Sequence, residues 1–235
     1  MTLPMTLHKL FLFALILPLL AACGRSLSEG EQRFAGEIHG DQINPDKVRF
    51  HNGALIGQVT FFRPARPRLA CRERIFPAPK SEMVTVSAAA VSLFNQVYFR
   101  RSLFLRDFMK DYPDKMYLLD AMLFSHEMTH VWQWQNRAIT GYHPLKAAAE
   151  HSPGGDPYLF DLSTNARFLD YSYEQQGGIV EEYVCCRTLA PKATRTKRLH
   201  DMLSGAFPVQ ALESRLAATE VIVPWKDVEI KGICG

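Results

Sequence analysis

The chain has no internal repeat and no low-complexity tract, which sets aside repeat and compositionally biased architectures. It has no strong excess of either charge. The 27 Lys and Arg against 24 Asp and Glu leave +3 over 235 residues, and loss of residues 1–22, with their single Lys and no acid, leaves +2. A nucleic-acid partner usually meets a concentrated basic face, so this balance argues against one. Nor is the N-terminal apolar run, Leu10 to Leu20, long enough to span a bilayer comfortably, which takes about 20 residues. What remains is enough apolar sequence, 47%, for one sizeable domain or two small ones.

That short run follows His8-Lys9 and ends in Leu20-Ala21-Ala22-Cys23-Gly24. The order of apolar run, small residues and thiol resembles a bacterial lipobox, in which the Cys accepts a lipid and becomes the first mature residue. Lipidation is therefore expected at Cys23. Gly24 in the next place resembles outer-membrane sorting, giving an envelope protein facing the periplasm. Local basic clusters, Arg63 to Arg74 and Lys192 to Arg198, read as solvated surface or as contacts with anionic headgroups.

Further on, Ser26 to Glu31 reads as a polar tether. Strand-like stretches occur at Val48 to Phe50, Ala54 to Phe62, Val84 to Val86, Gln96 to Phe99 and Val221 to Val223. Arg63 to Lys80 carries four prolines and reads as loop, and Leu103 to Lys110 as a helical turn. The stretch Asp114 to Arg137 predicts an amphipathic helix, capped by Asp111 or Asp114 and striped by Leu119, Met122, Leu123, Val131 and Trp134. A Gly- and Pro-containing loop, Gly141 to Asp161, precedes a second helix over Tyr171 to Leu189, and Thr196 to Ala218 holds one or two short helices.

The first of these helices carries His126-Glu127-Met128-Thr129-His130. Histidines four apart are one turn apart, so both imidazoles can reach one ion. Glu127 lies about 100° round from His126, where it could take a proton from a water beside the metal. Catalytic zinc needs a third protein ligand and an open position. No His follows six residues after His130; Gln133 and Asn136 stand where that pattern has Gly and His. Glu174 on the second helix is the first choice, and Glu181, seven residues on, shares its face. His143, His151 and Asp156 are weaker candidates. Tyr171, Tyr173, His143 and His151 are chemically able to stabilise an oxyanion.

The run Phe124 to Gln133, with Glu174-Gln175-Gln176, resembles the zinc metallopeptidase domain associated with extracellular contractile injection systems, and more closely its Vgr-related branch. Gly40 to Asn44, Val48 to His51 and Asn95 to Phe99 are similar to the opening segment and the strand ahead of the metal helix in that family. The likeness covers roughly Phe34 to Leu189. It implies an α+β, zincin-like domain with a central HExxH helix, a small sheet and a second ligand-bearing helix. It also implies Zn²⁺ held by His126, His130 and Glu174, with Glu127 as base. Where that family tends to have Ala three residues after the ligand Glu, this chain has Gly177 and then Gly178. The expected division is a signal peptide over 1–22, a tether over 23–32, the zincin-like domain over 33–190 and a C-terminal extension packed on it over 191–235. The expected function is a membrane-tethered zinc peptidase acting on proteins or peptides, with a secretion system as a candidate partner. The alternative is a non-catalytic binding or scaffold lipoprotein of the same fold, associated with a secretion or injection system.

The four remaining cysteines are Cys71, Cys185, Cys186 and Cys234, in a compartment expected to be oxidising. Adjacent cysteines bond to each other only with strain, so Cys71 and Cys234 are each expected to pair with one member of the 185–186 couple.

Overall fold

The computed structural model describes residues 24–53, 60–151, 156–162 and 164–235. Cys23 and the apolar run before it lie outside the described residues. Among the described residues, no helix is long and apolar enough to cross a membrane.

The segment expected to be a tether is built into the fold. Arg25 pairs with Phe50 through two backbone hydrogen bonds of 2.9 and 2.8 Å. Its guanidinium grips the fully buried Glu31 with two bonds of 2.7 Å, and Glu31 also accepts from the backbone N–H groups of Ser28 and Phe108. Every lone pair of that carboxylate faces a donor, which is what allows a charge to sit in the core. Ser28 and Glu31 form a capping box at the start of helix α1 (Glu29–His39).

Strand β1 (Arg49–Asn52) pairs in parallel with β5 (Gln96–Phe99), and β5 pairs antiparallel with the edge strand β4 (Ala90–Leu93). The sequence does not announce β4. Its turn to β5 places Phe94 at φ 61°, a position usually taken by Gly or Asn, so the common hairpin signal is missing. Phe94 is held there by packing edge-on against Trp134, ring centroids 4.6 Å apart. A separate hairpin joins β2 (Thr60–Pro64) and β3 (Met83–Ser87), and the short helix α2 (Cys71–Arg74) lies in the connection between them.

The central helix starts later than its sequence suggests. Lys115–Tyr117 form a strand, β6, parallel to β7 (Glu220–Ile222), and helix α3 runs over Leu118–Gln135. Neither Asp111 nor Asp114 caps it: their carbonyls accept from Lys115 N and Glu220 N instead. The partner strand lies about a hundred residues away, beyond the reach of any local signal. Nor is α3 amphipathic in place. Apart from the half-buried Leu123, residues 121–133 are buried all round the helix, the behaviour of a helix at the centre of a fold. Leu103 to Lys110 forms turns rather than a helical turn.

After the short helices α4 (Arg137–Thr140) and α5 (Pro144–Ala149), helix α6 (Tyr173–Leu189) packs more extensively on α3 than any other element does. Helices α7 (Thr194–Leu203) and α8 (Gln210–Leu216) bury Leu199, Leu203, Leu212 and Leu216 in the same core. Two disulfides close on α6: Cys71–Cys185 and Cys186–Cys234, with Cα separations of 6.0 and 5.8 Å. Neighbours on a helix point about 100° apart, so the adjacent thiols reach different partners, α2 on one side and the C-terminal segment on the other.

Candidate metal centre

Three donors converge between α3 and α6. His126 Nε2 lies 3.2 Å from His130 Nε2 and 3.3 Å from Glu174 Oε2, and His130 Nε2 lies 3.4 Å from the same oxygen. All three residues are buried. The helix spacing of four brings the two rings together, and the first turn of α6 delivers Glu174. That turn is fixed by Glu150, whose carboxylate accepts from the backbone N–H groups of Tyr173 and Glu174, both at 2.9 Å. A carboxylate at a helix N-terminus meets free N–H groups and the positive end of the helix dipole.

The outer nitrogens reveal what the inner ones hold. Gln133 donates through Nε2 to Tyr173 O and Gln176 Oε1, so its Oε1 is the atom that accepts from His130 Nδ1 at 2.9 Å. Glu181 Oε2 stands 3.3 Å from His126 Nδ1, and the buried Arg72 lies 3.5 Å from that carboxylate. With protons on both Nδ1 atoms, both Nε2 lone pairs face each other and Glu174. Such an arrangement repels itself unless a cation or protons sit at its centre. The same field draws protons to the imidazoles. Burial disfavours charge on His126, but Glu174 and Glu181 outweigh it and raise the imidazole to about 10. His130 is raised in the same sense against its own burial, chiefly by Glu174. Against desolvation, the two rings hold the Glu174 carboxyl well below the usual carboxylate range.

The donor set fits zinc. Nitrogen and oxygen ligands at 2.0–2.2 Å from an ion, set at the tetrahedral angle, stand about 3.3–3.6 Å apart, close to the separations seen here. Each imidazole has an outer-shell partner, as metal-binding histidines usually do. A second group, Cys71, Cys186 and Cys234, also brings potential donors together, but every sulfur in it belongs to a disulfide.

Glu127 is buried beside the triad, and its Oε2 accepts from Ser92 Oγ of the edge strand β4 at 2.8 Å. Gly177 explains how α6 comes so close. A Cβ at that position would stand 2.9 Å from His126 Cε1 and 3.0 Å from Nε2, so an Ala there would press on the ring.

Of the other residues singled out from sequence, Glu181 sits behind His126 and not among the three converging donors. His143 caps α5 by accepting from Leu145 N, and Asp156 pairs with Arg66. The hydroxyls of Tyr171 and Tyr173 donate to Asp161 O and Gly141 O. His151 does reach the site, with Nε2 3.7 Å from Glu174 Oε1. Sequence reasoning missed Ser92, Glu150, Tyr142 and Tyr158, none of which belongs to a spacing pattern. Tyr142 and Tyr158 flank the triad, with rings 6.4 Å from His130 and 5.7 Å from His126, and burial with Glu174 and Glu127 raises both phenols. The basic run Arg63 to Arg74 is not simply solvated surface. Arg66 binds Asp156, and Arg72 is buried against Glu73 and Glu181. In the second basic run, Arg195 binds the buried Glu182 at 2.6 Å.

No protein-family model matches the chain. In structure it is similar to the effector domain of Pseudomonas aeruginosa VgrG2b, with a TM-score of 0.47 and 27% identity over 78% of this chain and 84% of that one. In sequence it is 28% identical over 192 residues to the type VI secretion system spike protein VgrG2b of the same organism, a match that takes in 80% of this chain but only 15% of the length of that protein.

Proposed function

We propose that the chain is a zinc-dependent peptidase of the bacterial envelope, acting on proteins or peptides. The observation that carries this reading is the convergence of two Nε2 lone pairs and one carboxylate oxygen, with a further buried carboxylate, Glu127, alongside. A zinc ion bound by His126, His130 and Glu174 would supply Lewis acidity, polarising a carbonyl and acidifying a water. The chain's own residues do the rest. Glu127, with one oxygen held by Ser92, takes the proton of the attacking water and passes it to the leaving amine. Gln133 and Glu181 keep the imidazoles in the tautomer that turns Nε2 inward. A scaffold has no use for a buried carboxylate in that place.

Glu127→Gln tests the assignment. It should leave metal content and fold unchanged and lower peptide hydrolysis by about 10²-fold or more. If wild type and variant both hold one zinc and neither cleaves a mixed peptide library, the scaffold reading replaces the peptidase.

The similarity to a type VI secretion spike protein supports a place beside a secretion machine. The lipobox-like order at Cys23 supports lipid anchoring in the outer membrane, facing the periplasm. A fatty-acid analogue should label the wild type and not Cys23→Ala; equal labelling of both would end that part of the proposal.

A further inference from the structure

A peptidase also needs a hydrogen-bond donor for the carbonyl oxygen that gains charge as water attacks. Of the groups named from sequence, Tyr171, Tyr173 and His143 are committed elsewhere. Tyr158 has a different setting. Its backbone N–H donates to Asp156 Oδ1 at 3.1 Å, its carbonyl accepts from Arg72 at 2.7 Å, and the Arg66 guanidinium lies 4.6 Å above its ring. With its backbone bonded at both ends and Arg66 on one face, the ring stands with its centroid 5.7 Å from that of His126. Its hydroxyl meets His151 Nε2 at 3.1 Å, and that same nitrogen is 3.7 Å from Glu174 Oε1. The hydroxyl is therefore linked to the Glu174 carboxylate through one intervening side chain, His151, while its ring flanks His126.

His151 Nδ1 faces Ala147 O at 3.3 Å, a carbonyl that can only accept, so the neutral ring carries its proton on Nδ1. Nε2 is then an acceptor, and the Tyr158 hydroxyl donates to it. This holds the phenol beside His126 with its one proton given to His151. His151 is partly exposed, so this contact is a mild restraint and not a buried lock. Tyr142, on the other flank, is packed edge-on against Tyr173 with ring centroids 5.0 Å apart, and has no such relay among the described residues.

We propose that Tyr158 is the oxyanion donor of this site, with His151 as its positioning residue. The assignment rests on the peptidase reading. When substrate enters, the Tyr158 O–H turns from His151 Nε2 to the carbonyl oxygen; no bond other than hydrogen bonds changes partner in this step.

The test uses the full chain and three variants, Tyr158→Phe, His151→Ala and Tyr142→Phe. Metal content, kcat and KM on a peptide that the wild type cleaves, and affinity for a mixed library of phosphinic peptides are measured on each. The phosphinic group presents the anionic tetrahedral oxygen without turnover. Tyr158→Phe should keep one equivalent of zinc and its KM, lose about 10²–10³-fold in kcat, and lose phosphinic affinity in parallel. His151→Ala should keep its metal and lose about tenfold in kcat, because the phenol survives without its restraint. Undiminished kcat and phosphinic affinity in Tyr158→Phe would overturn the assignment, as would their loss in Tyr142→Phe alone. Loss of zinc in His151→Ala would make His151 a fourth ligand and overturn its positioning role. A wild type that holds zinc but neither cleaves nor binds the phosphinic library would remove the peptidase reading and this assignment with it.

Discussion

Gly177→Ala probes the closeness of α3 and α6. In isolation the change favours α6, since Ala is better than Gly inside a helix by about 1 kcal/mol. Against this, the new Cβ would stand 2.9–3.1 Å from three atoms of the His126 ring, where ordinary contact begins at 3.4 Å. The ring or the helix must give by about half an ångström, which is the tolerance within which a binding constellation works. The ring has little freedom to give, because Glu174, His130 and Glu181 each stand within 3.3 Å of one of its nitrogens. Disturbing the support of a metal ligand typically lowers affinity ten- to a hundredfold, or about 1.4–2.7 kcal/mol. The metal term should therefore exceed the helix term. Zinc affinity, measured by competition with a chromophoric chelator, should fall by that factor. The melting temperature of the metal-free protein should move by no more than about 2–4 °C. Gly36→Ala is the control, since a Cβ there meets nothing within 4 Å in α1. It should stabilise without touching metal affinity. A Gly177→Ala protein that binds zinc as tightly as wild type would refute the close-approach argument.

Two further outcomes follow from particular contacts. Glu181→Gln should still bind one zinc, with affinity reduced about ten- to a hundredfold, while Glu174→Ala should lose the metal outright; the reverse ranking would exchange the two roles. His39, stacked on Trp132 of α3, is buried, and desolvation lowers its pKa to about 3 despite the bond to Ala35 O. The unfolded chain therefore takes up a proton near pH 6.5 that the folded chain refuses. The contribution of this group to stability is fully present above pH 6.5 and is lost as pH falls toward 3, at about 1.4 kcal/mol per pH unit. Chelator-treated wild type and His39→Leu, compared by denaturant unfolding from pH 7 to 4, should differ in slope in that sense, and parallel curves would show that His39 is not the source.

Short-range patterns carried much of this protein. Histidines four apart, on a helix whose period is 3.6, determine that two imidazoles share a face wherever that helix is packed. Adjacent cysteines on a helix determine that each must look for a different partner, and the pairings Cys71–Cys185 and Cys186–Cys234 follow that logic. Both readings depend only on covalent geometry and helix pitch. Other features depend on contacts that no window of sequence contains. Strand β6 takes its place from β7, over a hundred residues further on, and so moves the start of α3. Glu31 is a core residue because Arg25 and the N–H of Phe108 happen to meet it, where the sequence suggested a solvated tether. Glu174 and Glu181 share one helix face and one chemistry. Only the packing of α6 on α3, close enough at Gly177 to exclude a methyl group, turns one toward the inner nitrogens and leaves the other behind His126. The same holds for Ser92 and Tyr158, single residues without periodicity, which meet Glu127 and His151 because a folded chain brings separate segments within hydrogen-bonding distance of one another.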